Sequence, residues 1–204
     1  MLNTRDLSVA RGGIRLLEGL NLDLAAGQAL ALRGPNGLGK TTLLRTLAGL
    51  QPPLSGAVEA DPETLVYAGH ADGIKLTLSV KENLKFWALV FGRTDISAAL
   101  RAFDLEGLGN RQAGQLSAGQ KRRLGLARLI VTGRALWLLD EPTVSLDSDA
   151  VAMFAAAVAA HLARGGAAVI ATHIELGLDR AEVLELTPFR ARPARLDEFD
   201  EAFL

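Results

Sequence analysis

The sequence predicts an α/β domain: a mostly parallel sheet covered on both faces by helices, with a helical lobe inserted into the core. Three observations carry that prediction. Short apolar runs recur between segments of helical periodicity, which is how strands buried by crossover helices read. The run Ala29-Leu30-Ala31-Leu32 leads into a glycine-rich loop and then an apolar helical segment. The block from about 73 to 130 is helical in pattern and contains no clear strand.

Each element follows from a local pattern. Leu20, Leu22 and Leu24 alternate with Asn21 and Asp23, the period of a half-buried strand. Ala25-Ala26-Gly27-Gln28 is a turn, and Ala29 to Leu32 is a short buried strand. Leu43, Leu44 and Leu47 share one helical face, and Gly49 is placed to end that helix. Leu65-Val66-Tyr67-Ala68 reads as another buried strand. From Ser79 to about Leu108 the pattern is helical, opened by the capping box Ser79-Val80-Lys81-Glu82. A second box, Ser117-Ala118-Gly119-Gln120, opens a basic helix that runs through Arg128. The apolar runs Ala135 to Leu139 and Ala167 to Ala171 flank an alanine-rich helix from about Asp149 to Arg164. Glu182 to Leu186 suggests a last strand. No repeat, low-complexity segment or linker interrupts the 204 residues, so 1–204 reads as one domain with its helical lobe at about 73–130.

Composition narrows the function classes. Hydrophobic residues are 49% and charged residues 22%, enough for a real core and against disorder as the main state. Lys+Arg 22 against Asp+Glu 23 leaves no basic excess, and no nucleic acid partner is expected. Without cysteine there are no disulfides, thiolate metal sites or thiol catalysis, which fits a reducing compartment. No secretory leader is visible around Asp6. The longest stretch free of a charge pair, Val151 to Ala163, falls short of the ~20 apolar residues of a spanning helix. A membrane role is therefore expected only through a partner.

The chemistry starts at Gly34-Pro35-Asn36-Gly37-Leu38-Gly39-Lys40-Thr41, which fits G-x-x-x-x-G-K-[ST] completely. Backbone N–H groups of such a loop wrap a phosphate chain. Lys40 supplies a point charge for the β- and γ-phosphates, and Thr41 a hydroxyl for Mg²⁺. Downstream, Ala135-Leu136-Trp137-Leu138-Leu139-Asp140-Glu141 delivers two carboxylates at a strand's C-terminal end, where ligands bind in parallel sheets. Asp140 would hold the Mg²⁺ shell through water, and Glu141 could polarise an attacking water. Taken alone, the pair also reads as a solvated acidic turn before Pro142.

In order, these motifs resemble the ATP-binding cassette (ABC) ATPases: the 34–41 loop, Leu116-Ser117-Ala118-Gly119-Gln120 close to the family's LSGGQ, the Asp140-Glu141 strand, Ser145-Leu146-Asp147, and Thr172-His173. The resemblance spans nearly the whole chain. It implies a P-loop NTPase core of ABC type with an N-terminal antiparallel β part, and ATP and Mg²⁺ as cofactors. It places ATP on residues 34–41 and Thr42, and Mg²⁺ on Thr41 and Asp140. It implies a homodimer in which Ser117, Gly119 and Gln120 meet the ATP held by the opposite subunit. Lys40, Glu141 and His173 become the catalytic set, with His173 contacting the γ-phosphate, and Asp147 lies at the subunit interface. Blander readings stay open: a plain capping box at Ser117, an N-cap at Asp147, a structural histidine at 173.

Two departures narrow the family. Where most ABC ATPases stack an aromatic residue on adenine, this chain offers Arg11, whose guanidinium can also stack. Where most carry a glutamine leading into the helical lobe, Tyr67-Ala68-Gly69-His70 places His70, a poorer Mg²⁺ ligand than an amide oxygen. A solvated arginine and a surface histidine beside a loop are the plainer readings of the two. With Gly73-Ile74-Lys75 and Glu82-Asn83-Leu84-Lys85-Phe86, these features resemble the ATP-binding subunits of the haem exporter of bacterial cytochrome c maturation. That resemblance implies a peripheral position on the cytoplasmic face of the inner membrane, integral membrane subunits of a haem-handling complex as partners, and indirectly a periplasmic haem chaperone. The expected docking groove lies between lobe and core, near His70 to Phe91. Nothing in composition or spacing shows haem. An ABC ATPase for another cargo and a soluble, non-transport ABC ATPase remain the alternatives. A single cassette and the short stretch between Lys40 and Ser117 weigh against the soluble types.

Overall fold

The computed structural model describes residues 1–178 and 181–192; Asp179, Arg180 and 193–204 of the expected single domain lie outside the described residues. In chain order the elements are β1 (Leu2–Arg11), β2 (Ile14–Leu24), β3 (Ala29–Arg33), α1 (Lys40–Leu47), β4 (Ser55–Ala60), β5 (Leu65–Ala68), α2 (Val80–Val90), α3 (Ser97–Ala102), α4 (Ala118–Thr132), β6 (Leu136–Asp140), α5 (Ser148–Ala163), β7 (Ala167–Ala171) and β8 (Ala181–Glu185). Strands β5-β6-β7-β3-β8 form one sheet, and each pair in it is parallel. Strands β2-β1-β4 form a separate antiparallel sheet. The expected parallel core and antiparallel N-terminal part are both present.

The pleat sends successive side chains to opposite faces and so divides the core. On one face Leu136 and Leu138 of β6 meet Leu30 and Leu32 of β3, the leucines of α1, and the inner face of the antiparallel sheet. On the other, Trp137 and Leu139 meet Leu124 and Ala127 of α4, Phe154 and Val158 of α5, and the lobe helices. All five residues of β6 are buried. Its single apolar run is what a strand covered on both faces requires.

Two strands escape the periodicity of the sequence. In β1, the inward set Leu2 and Thr4 switches parity to Leu7 and Val9, because a bulge lies between Thr4 and Leu7, where Asp6 adopts φ 46°. Edge strand β4 reads SGAVEA and has no buried residue, so it has no alternation to detect. The helical stretch expected from Ser79 to about Leu108 is also not continuous. It breaks into α2, α3 and short 3-10 turns, with Gly92 at φ 68° after α2. Helix α4 runs past the expected lobe boundary at 130 to Thr132.

Near its C-terminal end, α5 is tied to β6 through His161 as well as through its apolar core residues. The His161 ring stacks on Trp137 with centroids 3.8 Å apart and planes 10° from parallel. Its Nε2 lies 3.0 Å from the Ala135 carbonyl and 3.3 Å from that of Ala167, so Nε2–H donates to both and the neutral ring suffices. Burial pushes the His161 pKa down, against the two backbone bonds. A depressed folded pKa means that the unfolded chain takes up the proton first. The contribution is therefore present above the ordinary value of ~6.5 and is lost as pH falls below it. In urea denaturation at about pH 7.5 and about pH 5.5, wild type should lose more of its midpoint on acidification than His161→Phe, whose ring keeps the stack and cannot titrate.

Candidate active site

Because β3, β5, β6 and β7 run parallel, their C-terminal ends open on one edge of the sheet, and the loops that follow gather there. Strand β3 ends at Arg33 and α1 starts at Lys40, leaving a tight loop between them. Gly37 and Gly39 hold φ 80° and 118°, left-handed values that only glycine adopts at low cost. A Cβ on Gly39 would also sit 3.1 Å from Leu16 Cβ. The N-terminus of α1 has no side-chain cap. Its first amides therefore point outward without a partner from the helix, a ready anion site.

Lys40 and its neighbours form the centre. The Lys40 ammonium donates to the Gly34 carbonyl at 2.7 Å and the Pro35 carbonyl at 3.3 Å, and lies 3.3 Å from His173 Nε2. The same ring nitrogen is 3.0 Å from Asn36 Oδ1 and 3.1 Å from Glu141 Oε1. One nitrogen cannot donate to a carboxylate and accept from an ammonium together. With a carboxylate this close, the Nε2–H form is favoured, donating to Glu141 while Lys40 bonds its own loop. Lys40, Asn36 and Glu141 thus converge on one nitrogen of His173.

Asp140 is the most buried acid of the cleft, at 1% exposure. Its Oδ2 faces the Tyr67 hydroxyl at 3.4 Å and His70 Nε2 at 3.7 Å. Its Oδ1 is buried with no partner among the described residues. Burial, with the neighbouring Asp140 carboxylate, pushes the Tyr67 pKa up to about 12, so Tyr67 is a neutral donor here. A carboxylate with one buried, unsatisfied oxygen and Thr41 lining the same cleft suit a cation that brings most of its own oxygen ligands. Among the described residues no cluster of three or more acids or histidines could hold a metal unaided.

The cleft measures about 610 Å³. One wall is Arg11, Ile14, Leu16 and Val144; the phosphate loop, His70, Asp140, Glu141 and His173 line the rest. Arg11 and His70, the two departures, thus share the cleft with the loop. The His70 side chain is 65% exposed. The signature residues do not line it. Ser117 Oγ accepts from the Gln120 amide at 3.2 Å, and Gln120 Oε1 accepts from the Ser117 amide at 3.0 Å, so both side chains are engaged in capping α4. Gly119 has no side chain to present. Asp147 caps α5, accepting from the Ala150 amide at 2.8 Å. The sequence reading missed Tyr67 as a partner of Asp140, and missed Ile14, Leu16 and Val144. Only the Tyr67-Ala68-Gly69-His70 spacing hinted at the first. The rest meet only through the fold.

A profile of the ABC transporter family matches residues 17–144. The chain is 67% identical to the cytochrome c biogenesis ATP-binding export protein CcmA of Ruegeria pomeroyi, over 100% of this chain and 99% of that protein. It is 66% identical to the protein of the same name from Paracoccus denitrificans, again over 100% and 99%. Among solved structures it resembles a putative ABC transporter ATP-binding protein from Pyrococcus furiosus, with TM-score 0.81 and 25% identity over 93% of this chain and 99% of that one. It shares the fold of the ATP-binding cassette MJ0796, solved as a post-hydrolysis dimer with ADP and Pi, with TM-score 0.76 and 22% identity over 92% and 97%.

Lys40→Ala should bind a fluorescent ATP analogue at least about tenfold more weakly, since it removes a charged donor from the phosphate site. Circular dichroism should show the fold intact. Undiminished binding would move the phosphate site elsewhere.

Proposed function

This chain belongs to the ABC transporter ATPases, and within them to the cytochrome c biogenesis ATP-binding export proteins; we propose that it is the ATP-hydrolysing subunit of a membrane complex that exports haem, or releases it from its chaperone, during c-type cytochrome assembly. The observation that carries the reading is the convergence of Lys40, Glu141 and His173 at one point beside an uncapped helix N-terminus. Identity over the full chain to relatives of one name favours this over an ABC subunit for another cargo or a soluble, non-transport ABC ATPase.

ATP hydrolysis follows from the site's own residues. The loop amides and Lys40 bind the phosphates, with Thr41 and Thr42 beginning the helix beneath them. Arg11, Ile14, Leu16 and Val144 offer the base a wall of one planar cation and three apolar side chains. Glu141 orients water toward the γ-phosphate, while His173, already hydrogen-bonded to Glu141, stabilises the transferring group. Thr41 and Asp140 would hold Mg²⁺, which when bound neutralises phosphate charge. His70 stands beside Asp140, with Nε2 3.7 Å from its Oδ2.

Two copies complete the site in this reading. Ser117, Gly119 and Gln120 lie at a helix N-terminus outside the cleft of their own chain, so a partner copy brings that anion-favouring end to the γ-phosphate. We read 1–204 as one ABC ATP-binding domain whose helices from about 73 to 130 meet the membrane subunits. Phe86, Leu89 and Val90 on α2 are 55%, 65% and 57% exposed, an apolar face beside the His70 loop that suits a membrane partner. No helix among the described residues is long and apolar enough to cross a membrane, so a partner would place the chain at the cytoplasmic face of the inner membrane.

Two outcomes test this. Glu141→Gln should bind ATP and hydrolyse it very slowly, and ATP should shift it from monomer to dimer in light scattering. An ATP-loaded variant that stays monomeric contradicts the paired site. A deletion strain should lack mature c-type cytochromes by haem staining while keeping b-type haem proteins, and Lys40→Ala should not restore them. Normal c-type cytochromes in that strain would leave an ABC ATPase with a different cargo.

A further inference from the structure

We propose that Arg122 is a positioning residue for hydrolysis: from the signature helix it fixes the backbone that aims Glu141 and binds that backbone to the loop after β5. The inference rests on the ATPase reading above and concerns a residue that does not line the cleft.

Arg122 lies in the second turn of α4 and is only 8% exposed. Its Nη2 donates to the Glu141 carbonyl at 2.8 Å and its Nε to the Pro142 carbonyl at 3.1 Å. Its Nη1 donates to the Asp72 carboxylate at 2.8 Å and, at 3.4 Å, to the His70 carbonyl. One planar guanidinium thus joins α4, the turn after β6 and the loop after β5. A buried arginine held by four acceptors is rigid, and its fork reaches them in several fixed directions.

The turn needs such a clamp. Glu141 holds φ 48°, a left-handed value that side chains disfavour. Its amide is fixed by donating to the Ala171 carbonyl at 2.9 Å. On the other side, among the described residues its carbonyl receives only Arg122 and a longer 3.3 Å bond from the Val144 amide. Pro142 has no N–H to anchor the turn. Arg122 therefore holds the C-terminal side of the residue whose carboxylate reaches His173. The loop after β5 is fitted to the same helix. A Cβ on Gly125 would come 2.8 Å from Asp72 Cβ, so only a glycine lets Asp72 lie close enough to pair with Arg122. A shift of the His70–Asp72 loop would thus be felt at Glu141 through one side chain.

The test is steady-state ATP hydrolysis and equilibrium ATP binding by the full chain. Arg122→Met keeps the packed stem but removes every donor. It should lower kcat by about a hundredfold, the scale of a reacting group displaced by about 1 Å, with ATP Kd within about threefold of wild type. Arg122→Lys offers one point of donation and should fall nearer to Met than to wild type. Lys121→Met, the same charge loss one residue away, should hydrolyse normally. In a Glu141→Gln background, Arg122→Met should add no further loss, because it acts through Glu141. Unchanged kcat in Arg122→Met, additive losses with Glu141→Gln, or a Kd that weakens in step with kcat would each overturn the proposal. If Arg122→Met does not fold, the double variant Arg122→Met with Asp72→Asn removes the orphaned carboxylate and should still show the kcat loss; wild-type kcat there overturns it. Wild type that binds ATP but never hydrolyses it overturns the ATPase reading, and this inference with it.

Discussion

The cleft depends on the parallel register of β3, β7 and β6. Leu32 pairs with Ala171, and Ala171 pairs with Asp140, so the three strands end level at one edge. The phosphate loop, the His173 loop and Glu141 leave the sheet together for that reason. The Glu141 amide still donates to Ala171 as the ladder's last bond, although its own φ has already left strand geometry. A left-handed non-glycine residue costs about 1–3 kcal/mol and persists where its surroundings over-determine it. Here the surroundings are β7 on one side and Arg122 on the other.

Charge is arranged with similar economy. The cleft holds Lys40, Arg11 and two histidines against Asp140 and Glu141, and most of these groups already touch one another. Lys40 bonds to its own loop carbonyls rather than to a carboxylate, and so stays available to an incoming phosphate. Asp140 is screened from bulk water and keeps one oxygen unsatisfied, which is costly unless a ligand repays it. A site so poised favours a multiply charged ligand through preorganised dipoles and charges.

Helix α4 connects the two halves of this chemistry. Its N-terminus is capped by its own Ser117 and Gln120 side chains, its second turn clamps the Glu141 turn, and Arg128 one turn past Gly125 lies over the Trp87 ring of α2. The Trp87 indole N–H donates to the Gly73 carbonyl, so α2, the His70–Gly73 loop and α4 form one contiguous set of contacts. Helix α2 is thus linked through Trp87 and α4 to the Glu141 turn without belonging to the cleft.

Much of this protein was legible in the sequence because its signals are local. A glycine loop, two capping boxes and uninterrupted apolar strands depend on residues within a few positions of one another, and short-range sterics and hydrogen bonding decide them. The loop at 34–41, the acid pair at 140–141, His173, and the strands at 29, 65, 136 and 167 were all readable that way. The bulged β1, the bare edge strand β4 and the break after α2 were not, because a parity switch at Asp6 and an unburied edge leave no period to find. Pairings between distant residues were beyond the sequence as well: Tyr67 with Asp140, Asn36 with His173, Arg122 with Glu141, and Ile14 sharing a cleft with Lys40. Residue types and spacing determined what chemistry this chain carries. Which atoms meet was decided only by the sheet's parallel register and by α4 crossing it, since contacts between residues tens of positions apart exist only once the core has closed.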